Sequence, residues 1–152
     1  MKNTGSYCSL SINKISLKSL KDKTRTISNR LPLNDLHTTL ICDQNKKFNL
    51  NNNKISIKSQ VTNVVIWGND SQKKIILILD DKLVKYHEKI CKENHLDHYI
   101  QPYIPHITLS YDANIKELTS SLKNKLIGTI IEFDKVITKD SYITWKDKFI
   151  RS

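Results

Sequence analysis

The strongest constraint on this chain is a pattern that occurs twice, as His37-Thr38-Thr39-Leu40 and His106-Ile107-Thr108-Leu109, nearly half the chain apart and each downstream of a stretch with helical periodicity. In an extended strand, residues i and i+2 point to the same side, so each copy aims one imidazole and one hydroxyl in a common direction. Two such strands side by side would set two imidazoles and two hydroxyls around one small ligand. With 152 residues, the chain suffices for one compact domain, or for two small lobes sharing a core, and not for a multi-domain assembly.

The remaining segments repeat that arrangement. Residues 7–12 (YCSLSI) read as a first strand, and Leu17, Leu20, Thr24 and Ile27 as a helix stopped by Asn29 and Pro32. In LHTTLIC, residues 36–42, alternation puts His37, Thr39 and Ile41 on one strand face and Leu36, Thr38 and Leu40 on the other. Residues 43–54, rich in Asn and Lys, read as a solvated connector, either a lid or an inert turn. Ile55 and Ile57 alternate, VTNVVIW runs to Trp67, and the turn signal GNDSQ before Ile75–Leu79 predicts a hairpin. A helix is expected from Asp80 through about residue 95, with Asp80 or Asp81 as N-cap and Leu83, Tyr86 and Ile90 inward. Pro102 and Pro105 disfavour helix before the strand HITLSY, residues 106–111. Ile115, Leu118, Leu122 and Leu126 mark a third helix, and beyond Gly128 the segments TIIEFDKVIT and SYITWK read as two more strands. The expected order is β-α-β-β-β-α-β-α-β-β, an α+β chain.

Charge narrows the partner. The net charge of +10, with all but three of the 25 basic residues lysine, is large enough to gather a polyanion from a distance, so the first partner to consider carries phosphate. The lysines otherwise read as solvated helix faces. No apolar run reaches the roughly 18–20 residues of a membrane span, and the opening MKNTGSYCSLSINK lacks a secretory apolar segment, so an unprocessed chain without a membrane partner is expected. Cys8, Cys42 and Cys91 are odd in number and far apart, which fits a reducing compartment rather than a disulfide framework or a cysteine zinc site. His87, His95 and His98 lack a further ligand at convincing spacing, so no metal and no cofactor is expected, and a solvated helix terminus is their simpler role.

Paired imidazoles suit phosphodiester cleavage without a metal. One neutral ring removes a proton from an attacking hydroxyl while a protonated ring donates to the departing oxygen, and an unperturbed pKa of about 6.5 makes both states accessible near neutrality. Proton transfer of this kind typically contributes on the order of 10²–10⁴-fold, and hydroxyl donors facing the non-bridging oxygens add stabilisation as charge develops.

The two motifs, HTTL and PHITLSY, resemble the paired signatures of the 2H phosphoesterase superfamily, and the strand and helix order agrees over nearly the whole chain. Size, basic charge, the second motif and the intervening Trp67 are most similar to the phage anti-CBASS cyclic-oligonucleotide phosphodiesterases. That resemblance implies a bilobal fold, two pseudo-symmetric antiparallel sheet lobes with helices outside and a central cleft, in a single domain spanning residues 1–152. It implies a metal-independent enzyme that cleaves 3′–5′ bonds of cyclic di- or trinucleotide immune signals such as 3′,3′-cGAMP, in the cytoplasm of an infected bacterial host. A ribose 2′-hydroxyl would be the nucleophile and a 2′,3′-cyclic phosphate the first product. His37 and His106 carry over as the catalytic pair, with Thr39 and Thr108 as phosphate-orienting partners.

Bases need flat partners, because stacking on an aromatic ring is worth roughly 1–3 kcal/mol per base. Tyr7, Trp67, Tyr111 and Trp145 are the candidates, and Glu132 is a candidate acceptor for a base edge. Trp67 and Trp145 serve equally well as core aromatics, and Tyr7 and Glu132 more readily as structural residues. Two other functions use the same features: a 2H phosphodiesterase of 2′,5′-oligoadenylate or RNA 2′,3′-cyclic phosphate ends, and a non-catalytic basic protein that binds nucleotides. No stable long nucleic-acid partner is expected.

Overall fold

The computed structural model describes residues 3–43, 46–51, 54–69, 71–96 and 103–142. Its elements are β1 (Asn3–Ile12), α1 (Lys14–Lys23), β2 (His37–Asp43), β3 (Lys54–Gly68), β4 (Lys73–Leu79), α2 (Lys82–Asn94), β5 (His106–Ser110), α3 (Ser120–Leu126) and β6 (Ile130–Tyr142). The strands form one antiparallel sheet in the order β2-β1-β6-β3-β4-β5, so among the described residues the chain is a mixed α+β fold of six strands and three helices.

Alternation along the strands selects the buried face. Cys8, Leu10 and Ile12 of β1, Val61 and Val64 of β3, Ile75, Leu77 and Leu79 of β4, and Ile107 and Leu109 of β5 join Leu20 of α1, Leu83 and Ile90 of α2, and Leu122 and Leu126 of α3 in one core. Burying a side chain of this size contributes about 1.5–3 kcal/mol, which anchors each helix to the same face of the sheet. Local signals set the helix ends. The Asn13 side chain accepts from Ser16 N at 2.8 Å to start α1, and Thr24 Oγ1 donates to the Leu20 carbonyl where it stops. Ile27, expected within that helix, is buried just beyond it. At α2, Asp81 occupies the cap position without a side-chain bond, while the Asp80 carboxylate accepts from Lys82 N, Ser59 Oγ and Gln60 N. The third helix is shorter than its apolar spacing predicts, because Ile115–Glu117 forms a separate 3-10 turn and Thr119 caps α3.

One strand expectation needs correction. The segments TIIEFDKVIT and SYITWK are not two strands at their junction: β6 runs unbroken through Lys139 and Asp140 to Tyr142, because β1 starts at Asn3 and pairs with it along that whole length. Residues 143–146 of the expected last strand, Trp145 included, lie outside the described residues. Ile55 and Trp67 belong to one 15-residue strand, whose first half pairs with β6 and whose second half pairs with β4 across a register shift at Val61–Asn63. The hairpin after it turns at Gly68, whose φ of 120° only glycine adopts easily and where a Cβ would collide with the Gln72 carbonyl.

The expected solvated connector is also more structured than its composition suggests. Leu50 is buried, Phe48 N donates to Ser6 Oγ and Leu50 N to Thr138 Oγ1, which straps residues 46–51 to β1 and β6. Lys46 Nζ donates to the carbonyls of Asn94 and His95 at the C-terminal end of α2.

The two strands at opposite ends of the sheet order are joined. Thr38 of β2, 1% exposed, donates from Oγ1 to the His106 carbonyl of β5 at 2.7 Å, and Tyr103 Oη donates to the Thr39 carbonyl at 2.9 Å. Leu31 N, in the segment leading to β2, donates to the Leu109 carbonyl. Removing a buried partner leaves the other group unsatisfied, at a cost of about 1–3 kcal/mol. Thr38→Val keeps the volume and deletes the donor, so it should lower unfolding stability by that amount in urea titration, whereas Thr62→Val, at an exposed position of β3, should change it little.

Candidate active site

Register places both motifs on the sheet face opposite the helices. Residues directly paired across antiparallel strands share a face. His37 pairs with Ser11 and Thr39 with Ser9, while Thr38 pairs with the core residue Leu10. On the other side, His106 pairs with Ile78 and Thr108 with Ile76, while Ile107 pairs with the core residue Leu77. His37, Thr39, His106 and Thr108 are all half-buried. The Thr38 bond to the His106 carbonyl brings the two motif backbones together, with one histidine adjacent to the donor residue and the other carrying the acceptor.

Backbone carbonyls set the tautomer of both rings. His37 Nδ1 lies 2.7 Å from the Asp35 carbonyl and His106 Nδ1 lies 2.8 Å from the Ile104 carbonyl, each two residues upstream. A carbonyl only accepts, so Nδ1 carries hydrogen in both rings and Nε2 is left as the exchanging nitrogen. Local sequence makes these contacts: a 3-10 turn at Leu33–Asp35 following Pro32 positions the first carbonyl, and Pro105 stiffens the approach to the second.

Tyr7 completes the first half of the site. Its hydroxyl lies 2.8 Å from His37 Nε2 and 2.8 Å from Thr39 Oγ1. With a neutral ring, Tyr7 donates to Nε2 and accepts from Thr39; with a protonated ring, Nε2–H donates to Tyr7, which turns its own proton to Thr39. Either state of His37 is therefore satisfied. Burial raises the Tyr7 phenol above its ordinary range, outweighing the opposing Thr39 hydrogen bond, so it stays a neutral hydroxyl near pH 7.

Trp67 forms the wall of the second half, its ring centroid 4.7 Å from that of His106 at an interplanar angle of 62°. Tyr111, 38% exposed at the end of β5, has the Lys74 ammonium 5.7 Å from its ring. Its phenol is raised by burial and then by the charge of Asp35, the residue whose carbonyl holds His37. Glu132 is engaged at the start of α1: Oε2 accepts from Asn13 Nδ2 at 2.7 Å, Lys58 lies 3.9 Å from Oε1, and its backbone bonds both Asn13 N and Ser16 Oγ. Those contacts give it a helix-anchoring role. Trp145 lies outside the described residues.

Behind the first motif sits a support that sequence inspection missed. His87 is buried rather than solvated, a correction to the expectation for the α2 histidines. Its Nδ1 bonds the Leu40 carbonyl at 2.7 Å, and its ring stacks on Tyr103, whose hydroxyl bonds the Thr39 carbonyl. His95 is the exposed left-handed cap of α2, and His98 lies outside the described residues. Helical spacing from Leu83 through His87 to Ile90 was the signal that could have found it. Among the described residues, no trio of His, Cys, Asp or Glu is placed to hold a metal ion.

The family model described as anti-CBASS protein Acb1 matches residues 4–148, and the chain belongs to that family. Membership carries an anti-CBASS role. No curated protein matches the chain. Among solved structures, Kluyveromyces marxianus Usb1 is similar with a TM-score of 0.46 and 11% identity, over 88% of this chain and 92% of that chain. No helix among the described residues is long and apolar enough to cross a membrane.

Burial lowers the pKa of His87, the Leu40 hydrogen bond opposing only in part, so the folded protein binds a proton here less readily than the unfolded chain. The stability this contributes is full above the unfolded value of about 6.5 and declines as pH falls from there towards the lowered folded value. His87→Phe, which keeps a ring on Tyr103 but cannot titrate, should show a smaller loss of unfolding free energy between pH 7.5 and pH 5 than the unsubstituted protein. Denaturant titrations at the two pH values measure the difference.

Proposed function

We propose that this protein is a phosphodiesterase of cyclic di- or trinucleotides, in which the His37 and His106 Nε2 atoms exchange the protons of the reaction and the Thr39 and Thr108 hydroxyls orient the phosphate. One ring takes the proton of a ribose 2′-hydroxyl as that oxygen attacks phosphorus. The other delivers a proton to the departing 5′ oxygen, leaving a 2′,3′-cyclic phosphate. Neither step calls on a metal. The observation that carries this reading is the arrangement of two imidazoles on one sheet face, each locked by a carbonyl at Nδ1, on strands fastened by the Thr38–His106 bond. Family membership supports a cyclic oligonucleotide as the substrate, because an anti-CBASS role turns on such signals.

In this proposal, residues 1–152 form one domain of two pseudo-symmetric lobes, each offering one motif to a shared cleft. Long β3 passes from one half of the sheet to the other, which fits two lobes built on a common strand. Trp67 and Tyr111 supply flat surfaces for bases, while Tyr7 keeps Thr39 and His37 aligned in both protonation states. The site of action is the cytoplasm of the infected host cell, where the signal is made.

Incubation with a panel of cyclic di- and trinucleotides in excess EDTA, with products identified by mass, tests the reaction and the substrate together. Turnover should persist in chelator, fall by at least about 100-fold in His37→Ala and in His106→Ala with the fold retained, and follow a bell-shaped pH profile in kcat/KM. Turnover restored only by a divalent metal, or retained in either variant, would contradict the mechanism. Cleavage of linear 2′–5′ oligoadenylate with cyclic dinucleotides left intact would redirect the substrate to RNA-type ends. Tyr7→Phe, which removes one hydroxyl from the His37–Thr39 link, should lower kcat by about tenfold with KM little changed, as expected for one hydrogen bond of about 1–1.5 kcal/mol.

A further inference from the structure

A row of residues crosses the site face from the first catalytic histidine to two lysines. His37 of β2 pairs with Ser11 of β1, Ser11 with Lys135 of β6, and Lys135 with Lys54 of β3. Directly paired residues point to one side, so both lysines project on the face that carries the histidines. Both are exposed, and Ser11 between them and His37 is half-buried. At the usual strand spacing, Lys135 stands about 10 Å from His37 in the sheet.

Like charges directly opposite each other in a sheet are destabilising, and a folded protein ordinarily avoids them. The same two strands show the ordinary solution a few residues away, where Lys58 is paired with Glu132 and their charged groups lie 3.9 Å apart. Lys54 and Lys135 have no such partner: the ion pairs among the described residues are Arg25–Asp22 and Lys58–Glu132, and the adjacent Asp134 joins neither lysine. The site face thus carries two cations without an anionic partner among the described residues, in register with the reacting histidine.

We propose that Lys54 and Lys135 form a second anion subsite, which holds a non-scissile phosphate of the substrate while the scissile phosphate lies between His37 and His106. This rests on the phosphodiesterase reading and adds to it a basis for choosing substrates. A ligand with two or more backbone phosphates engages both places; a ligand with one phosphate engages only the histidines. The lysines act through charge on a phosphate one nucleotide removed, so their contribution falls on binding rather than on proton transfer, and salt weakens it.

The test measures equilibrium binding in a His37→Ala background, where ligand stays intact, for two probes: 3′,3′-cyclic dinucleotide and a linear dinucleoside monophosphate with a single 3′–5′ phosphate. Adding Lys54→Ala and Lys135→Ala together should weaken the cyclic probe by at least about tenfold and the single-phosphate probe by less than about twofold. The same pair of substitutions in the otherwise unaltered enzyme should raise KM for the cyclic substrate with kcat little changed. Melting temperature without ligand should stay level or rise, because a repulsive pair has been removed. Equal weakening of both probes, or no weakening of the cyclic one, would overturn the subsite. Tight, lysine-dependent binding of the cyclic probe by an unaltered protein that does not cleave it would instead overturn the phosphodiesterase reading and leave the subsite standing.

Discussion

The hydrogen bond from Thr38 to the His106 carbonyl is the contact on which the site depends. β2 and β5 are the outermost strands of the sheet order, and neither forms a ladder with the other. A buried hydroxyl donating to a carbonyl stands in for that missing ladder, and the Tyr103 bond to the Thr39 carbonyl reinforces it from the adjacent residue. Because the donor lies in one motif and the acceptor in the other, the same bond that closes the sheet sets the spacing of the two histidine-bearing segments. Leaving either group unsatisfied in the core is the more costly state, which is why the arrangement is well defined.

A division of labour runs along each motif. The residue between histidine and threonine faces inward, as Thr38 or Ile107, and is spent on structure. Histidine and threonine face the other way and remain half-buried. The backbone two residues upstream holds each imidazole by Nδ1, so ring orientation is inherited from a 3-10 turn in one case and from a proline-stiffened entry in the other. Where the halves differ is in what supports each ring: a hydrogen-bonded phenol against His37, an indole wall against His106. The lysine row continues the asymmetry, since it extends from the His37 side.

Much of this was legible in the residues. Two-residue alternation in HTTL and HITL placed the polar groups on one face, and three- and four-residue spacing found the helices, because both periods are properties of the local backbone. What escaped were the features that depend on pairing partners. The apparent break between Thr138 and Ser141 vanished because β1 extends to Asn3 and continues the ladder. Leu50 and Phe48 sit in a segment whose composition reads as solvated, yet hydroxyl acceptors on Ser6 and Thr138 of neighbouring strands draw it onto the sheet. His87 was assigned to a solvated helix end, although an inward position on α2 and a carbonyl from β2 bury it.

By itself, then, the sequence determined the kind of chemistry available: two imidazoles and two hydroxyls with matched strand geometry, on a chain positive enough to attract phosphate. Those are consequences of residue type and local period, which require no knowledge of distant neighbours. Tertiary structure decided which nitrogen of each ring is held by a backbone carbonyl, that Tyr7 bridges His37 and Thr39, that Glu132 serves the start of α1, and that two lysines from separate strands share a row with His37. Each of these depends on register between segments remote in the chain, and register is settled by the competition of whole strands for partners rather than by any one stretch of residues.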